Sequence, residues 1–180
     1  MSIIVSSILA ALLFIGNVQT RPATSRAESE KTIRKTSQEM MKAFLTQDVQ
    51  TFKRHSAKRT LDLIDLAYEA AKRDPRYQQE LQKAGITTSG QFLGYFMVGM
   101  ATQYLQTMPV SPEVAAQRVA NDSTVTFVTD TEASISFAQS AFARARLDSK
   151  GWKIDLTDWL KKPVLKEVTD PDLRAKIKSL

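Results

Sequence analysis

A few side chains in this sequence are of types that do chemistry. His55 is the only histidine. It stands in a basic turn, "KRHSAKR", with no acid close in sequence. A lone imidazole in that setting reads as a surface residue, and a histidine-rich metal site needs more than one. Tyr68, Tyr95 and Tyr104 lie in stretches of helical spacing, as do Asp62 and Asp65. A phenol and a carboxyl group carried into an apolar cavity would suit proton transfer, because burial raises a carboxyl pKa. For each tyrosine the plainer expectation is a core ring with its hydroxyl at the rim. Lys153 and Asp155 alternate with Trp152, Ile154 and Leu156 in "GWKIDL". Alternation of period two puts the charges on one face and the apolar side chains on the other. They read as the outer face of a sheet and not as an acid–base pair.

Other chemistries are excluded. The chain has no cysteine, so disulfides, thiolate metal sites and a cysteine nucleophile are absent. No glycine-rich phosphate loop, serine elbow or "HExxH" helix occurs. Asn121-Asp122-Ser123 fits a glycosylation acceptor, a weak pattern. No catalytic residue, metal or cofactor is assigned from the sequence. Tyr68, Phe92, Tyr95, Phe96, Tyr104 and Trp152 are the candidates for lining a ligand pocket.

The elements that would position these residues begin after an unusual terminus. Ile3 to Ile15 is a 13-residue apolar run with only two serines as polar residues. It fits the apolar region of a signal peptide and is short for a membrane-spanning helix, which needs about 20 residues. No Lys or Arg precedes it, whereas Arg21 and Arg26 follow it. The amino terminus then carries the charge, or the start lies upstream, or the segment stays as an anchor in inverted orientation. Residues 1–27 are read as a signal peptide or anchor with its linker, 28–162 as the folded domain, and 163–180 as a tail with a short helix. A periplasmic or secreted location is expected, with membrane anchoring as the alternative.

The 180 residues suffice for about one domain with its own core. The net charge is +6, and eight basic residues fall between Lys31 and Arg59, opposed there only by Glu39 and Asp48. This reads first as a solvated helix face. Contact with an anionic membrane surface is the second reading. Few aromatics interleave with the charges, so the stacking platforms of single-strand binders are missing and no nucleic-acid partner is expected.

From about Glu30, Ile33, Ser37, Met40, Met41, Phe44 and Leu45 recur at helical spacing. Asp48 caps a short second helix that turns Val49 and Phe52 inward. A third helix, from about Thr60 to Lys72, carries Leu61, Ile64, Tyr68 and Ala71 on one stripe, with Leu63 and Ala67 alongside. Asp74-Pro75 breaks it, and Pro75 opens a helix that Gly85 closes. Thr88 and Gln91 have capping-box spacing before the apolar run Phe92 to Thr102. Gly90, Gly94 and Gly99 interrupt that run, each interior glycine costing roughly 1 kcal/mol against alanine. The spacing predicts a central helix packed on a sheet, or a Met- and Phe-lined wall of an apolar cavity.

After a short helix capped by Ser111 the period changes to two. "TVTFVT" and "ASISF" are strands. A three-residue loop, Asp130-Thr131-Glu132, would set Phe127 against Ile135 and Val125 against Phe137. The next hairpin, turning at Ser149-Lys150, sets Leu147 against Trp152, Ala145 against Ile154, Ala143 against Leu156 and Arg144 against Asp155, the last as an exposed pair. Asp170 and Pro171 start a terminal helix with Leu173 and Ile177, expected to dock weakly. The fold class is α+β, with N-terminal helices on a curved, cone-like antiparallel sheet and a short C-terminal helix.

Helices first, Ala43-Phe44 followed by Asp48 and Phe52, and a closing strand Gly151-Trp152-Lys153-Ile154-Asp155 resemble the nuclear transport factor 2-like superfamily, over roughly residues 30 to 160. The likeness is to small exported members of that superfamily. It implies a cone-shaped α+β domain. The third helix and the stretch to Gly85 are longer than a compact member needs. The superfamily serves isomerases, cyclases, binding domains and assembly modules, so the likeness does not choose a function. The favoured reading is an exported, non-enzymatic module holding a hydrophobic small molecule or a protein partner. A homodimer through the outer sheet face is a further expectation. The alternative is a small cyclase- or isomerase-type enzyme using helix-borne tyrosine and aspartate in the cone.

Overall fold

The computed structural model describes residues 25–107, 110–137 and 140–180. The expected signal or anchor segment lies outside them up to residue 24. Among the described residues six helices come first: α1 (Arg26–Leu45), α2 (Val49–His55), α3 (Lys58–Arg73), α4 (Pro75–Lys83), α5 (Ser89–Thr107) and α6 (Pro112–Asp122). Four strands follow, β1 (Thr124–Thr129), β2 (Glu132–Phe137), β3 (Ser140–Asp148) and β4 (Gly151–Asp155), and then α7 (Thr157–Glu167) and α8 (Pro171–Ser179). The class is α+β, as the sequence predicts.

Capping residues set most of the helix starts. Ser25 and Glu28 form a reciprocal capping box, which starts α1 several residues before the expected Glu30. Asp48 accepts from the Thr51 N–H, Ser111 from that of Val114, and Asp170 from those of Asp172 and Leu173. The Gln91 carboxamide oxygen accepts from the backbone of Thr87 and Thr88, while Thr88 Oγ1 accepts from the Gln91 N–H. Gly85 ends α4 with φ +66°, in the left-handed region that glycine enters at no steric cost.

The sheet is an antiparallel meander in the order β1-β2-β3-β4. Its first hairpin corrects the expected register. Val125 lies opposite Ile135, and Phe127 opposite Ala133. A tight turn at Asp130-Thr131 is followed by an irregularity between Phe127 and Thr129, which absorbs one residue. The bulge keeps apolar residues opposite apolar residues, as the pairing argument required, but with partners two positions away. The second hairpin has the expected register, Leu147 to Trp152, Ala145 to Ile154 and Arg144 to Asp155. β4 stops at Asp155, so Ala143 has no Leu156 across from it.

One row across the inner face reads Phe127, Ala133, Ala145, Ile154. Bulk stands at the edges and alanine in the middle, which leaves a trough. The helix that covers the sheet is α1, through β4 and β1, while α5 packs mainly on α1, α2 and α3. Ile33, Met40 and Ala43 of α1 join Phe52, Leu93, Met97, Trp152 and Ile154 in one core cluster. Trp152 is buried edge-on to Phe127, with ring centroids 6.1 Å apart. An aromatic of this size contributes several kcal/mol by removing about 150–250 Å² from water.

α7 is not expected from the sequence, because Pro163 lies within it and interior proline normally ends a helix. Together with α8 it makes a second cluster, in which Leu160, Val168, Leu173 and Ile177 pack on Leu63 and Ala70 of α3. Leu173 and Ile177 are almost wholly buried, so the last helix is part of a core and does not dock weakly.

A groove between three helices

The unfilled apolar space lies on the helical side of the molecule. α3 forms the floor of a groove with Leu63, Ile64, Ala67, Ala70 and Ala71. Phe92, Leu93, Phe96 and Met100 of α5 form one wall, and Trp159, Leu160, Pro163 and Val164 of α7 the other. Its volume is about 360 Å³, within the range of small-molecule sites. A second hollow of about 310 Å³ adjoins it along α5 and α4, sharing Ala71, Tyr77, Phe92, Phe96 and Met100. Tyr95, Leu81, Ile86 and Gly99 complete the second hollow.

The floor explains the hollow. Ile64, Ala67 and Ala71 belong to the stripe or its flank that the spacing of α3 assigns to the core. Instead they are half-buried, while Thr60, Leu63, Tyr68 and Ala70 are buried. Each floor alanine carries a single methyl group and fills little of the space between the walls. α5 is apolar around most of its circumference, yet Tyr95 is 55% exposed and Phe96 38%. An apolar helix normally buries its whole surface, so an exposed side next to a hollow stands out.

Polar groups gather at one end, around Tyr77. Its hydroxyl donates to Glu167 Oε2 at 2.7 Å. Asp74, the N-cap of α4, precedes it by three positions and Glu80 follows it by three. Arg76 donates from Nε and Nη2 to the Asp74 carboxylate, at 2.7–3.1 Å, and stands 5.2 Å from the Tyr77 ring centroid. Those hydrogen bonds and the Arg76 N–H hold Asp74 at a pKa of about 2. The Glu167 carboxylate raises the pKa of the Tyr77 hydroxyl. At neutral pH Asp74 is therefore a carboxylate and Tyr77 a neutral phenol. Among the described residues no group of three or more His, Asp or Glu side chains comes together as metal ligands would.

Of the six candidate pocket residues, the structure brings Phe92, Tyr95 and Phe96 together on the groove. Tyr68 is buried behind it, 5.7 Å from the Phe92 ring. Tyr104 packs near Leu45, Ala101 and Ala115 in a separate cluster, and Trp152 is in the core under the sheet. Asp62 is paired with Lys58 at 2.7 Å, Asp65 is exposed, and neither lines the groove.

Sequence reasoning missed the α7 wall. Its signal is Leu156, Leu160, Val164 and Val168 at spacing four, hidden by Pro163. A second signal is the 29-residue stretch from Ala84 to Pro112, which contains no charged residue in a chain that is 24% charged.

Two charged residues need correction. Asp155 is not exposed: its side chain is 2% accessible. It accepts from Arg146 Nε at 2.9 Å, Arg59 Nη1 at 3.3 Å, Thr60 Oγ1 at 3.3 Å and the Thr157 N–H at 2.9 Å. Arg144, its cross-strand neighbour, pairs instead with Glu132 and Asp158. Burial raises the Asp155 pKa, but the Thr157 hydrogen bonds, Arg146 and Arg59 outweigh it and leave a net lowering. Asp155 thereby fastens the end of β4 to α3 and α7. His55 is half-buried, not at the open surface, and its Nε2 lies 3.2 Å from Glu39. Burial depresses its pKa despite Glu39.

No helix among the described residues is long and apolar enough to cross a membrane. No protein-family model, curated protein or solved structure matches the chain.

Proposed function

We propose that this protein is an exported, non-enzymatic binding module of nuclear transport factor 2-like type that holds a hydrophobic small molecule. The observation that carries the reading is the groove of about 360 Å³ between α3, α5 and α7, with its adjoining hollow. Its floor and walls are apolar, and each methylene a ligand buries there contributes about 0.8 kcal/mol before the costs of association. Asp74 at about 2 stays ionised and offers no proton near neutrality. Export rests on the apolar run Ile3 to Ile15 and the polar linker after it.

The test is binding of a neutral apolar dye, N-phenyl-1-naphthylamine, to protein purified without detergent, with native mass spectrometry of the same sample. Saturable binding of one dye per chain is expected, and Phe96→Asp should abolish it. Phe96 is partly exposed, so this variant should keep its fold, which circular dichroism checks. Dye binding that survives Phe96→Asp refutes the groove as the site. N-terminal sequencing of the protein recovered outside the cytoplasm tests export. A mature chain starting between about residue 19 and residue 28 supports a cleaved signal, an intact Met1 there supports the anchor, and recovery of the protein only inside the cytoplasm overturns export.

A further inference from the structure

The groove has a chemical polarity that goes beyond a preference for apolar matter. Neither hollow is lined by a Lys, Arg or His side chain. The charged residues lining them are Asp74, Glu80 and Glu167, in a chain whose net charge is +6. Asp74 and Glu167 line the first hollow and Glu80 the second, and Tyr77 lines both. Arg76 neutralises Asp74. Glu80 is exposed, and Glu167 accepts one side-chain hydrogen bond from Tyr77 through a single oxygen, while its backbone oxygen accepts from Arg76 Nη2 at 3.1 Å.

We infer that the ligand is an elongated amphiphile with a cationic head, of alkylammonium type. Its chain lies along α5 over the alanine floor, and its head sits between Glu80, Glu167 and the ring of Tyr95, since Arg76 already stands over the Tyr77 ring. Carboxylates with aromatic faces beside them recognise an ammonium group by charge and by cation–π attraction. The mouth repels an anionic head such as a fatty carboxylate. The overall positive charge of the protein acts the other way, since it attracts anions at long range. A preference for cations therefore has to come from the groove itself. The inference rests on the binding reading proposed above.

The experiment compares three probes of equal chain length on the full chain at low salt, below their micellar concentrations: dodecyltrimethylammonium, dodecyl maltoside and dodecanoate. Calorimetry and the fluorescence of Trp159, freed of core signal in a Trp152→Phe background, report binding. The cation should bind about tenfold more tightly than the anion, with the neutral probe between them, the size of effect two solvent-touched carboxylates supply. In the double variant Glu80→Gln, Glu167→Gln that order should collapse while affinity for dodecyl maltoside stays unchanged. Dodecanoate binding as tightly as the cation, or a preference that persists in the double variant, overturns the inference and leaves the groove as a general apolar site. Failure of all three probes to bind overturns both this inference and the binding reading.

Discussion

Gly99 offers a test of whether the outer side of α5 is open. It lies inside a 19-residue helix, it is exposed, and a Cβ built on it meets nothing within 4 Å. Its φ is not in the positive range, so no left-handed backbone demands glycine there. Gly99→Ala therefore removes only unfolded-state freedom, worth about 0.8–1.0 kcal/mol in a helix interior. For a domain of this size that is a rise in Tm of about 2–4 °C. Two other glycines serve as controls. Gly94→Ala would bring its Cβ to 3.4 Å from Val49 Cγ2, so part of the gain is lost against the α2 side chain. Gly151→Ala should destabilise, because φ is +117° there. Thermal unfolding followed by far-UV circular dichroism ranks the three. Gly99→Leu takes the same helix gain and also extends into the second hollow beside Tyr95 and Met100, so it should raise Tm and weaken dye binding together. A fall in Tm for Gly99→Ala would refute the reasoning. It would mean that something approaches α5 too closely to admit a methyl group, and that this helix is covered by another chain in solution.

Other perturbations test the frame that holds the groove. Asp155→Ala removes the acceptor of two guanidinium groups, and loss of one partner of a fully buried pair costs about 3–5 kcal/mol. Arg146 and Arg59 keep about a third of their side-chain surface in water, so about 2–3 kcal/mol is expected in urea unfolding. Because the folded pKa of Asp155 is lowered from 3.8, its stabilisation is complete above that value and is lost as pH falls through the folded value. The stability gap between wild type and Asp155→Asn should close in acid accordingly. His55, the only histidine, has a folded pKa below its ordinary 6.5, so stability should fall as pH drops through 6.5 toward the folded value. His55→Asn should flatten that slope, and the single imidazole proton resonance gives the folded pKa directly. Gln47 has φ +61° between α1 and α2, and Gln47→Gly should raise stability by about 1 kcal/mol.

The legible part of the fold was the part written in local chemistry. Asp48, Pro75, Gly85, Thr88, Ser111 and Asp170 mark helix ends by capping or by backbone geometry, and each does so in the structure. The β3–β4 register followed from alternation, since a slip of one residue would turn Trp152 and Ile154 to the polar face. The first hairpin was less legible because alternation fixes parity and not the count of loop residues, and the irregularity after Phe127 exchanges one for the other. The burial of Asp155 was invisible for a different reason. Period two assigns it correctly to the face of Arg144 and Arg146, but the start of α3, some 95 residues earlier, covers that end of the face. The site was half legible for the same cause. Phe92, Tyr95 and Phe96 announce an apolar wall, whereas its counterpart on α7 depends on where the chain goes after β4.

The position of the groove follows from how the two clusters divide the helices. The trough of alanines in β2 and β3 lets α1 settle on the sheet, and its Ile33, Met40 and Ala43 help fill the interior that a cone would otherwise leave for a ligand. α5 then has only α1, α2 and α3 to pack on, and those contacts use the side bearing Leu93, Met97 and Ala101. α7 is held to α3 by a separate cluster built with α8, through Leu160, Leu173 and Ile177. Both helices thus stand on α3 and are fixed independently. Along the floor between them α3 presents Ala67, Ala70 and Ala71 beside Leu63 and Ile64. The apolar surface left uncovered by this division is a consequence of packing on both sides of it. Its acidic end also ties α4 to the end of α7, where Tyr77 donates to Glu167 Oε2 and Arg76 to the Glu167 backbone oxygen.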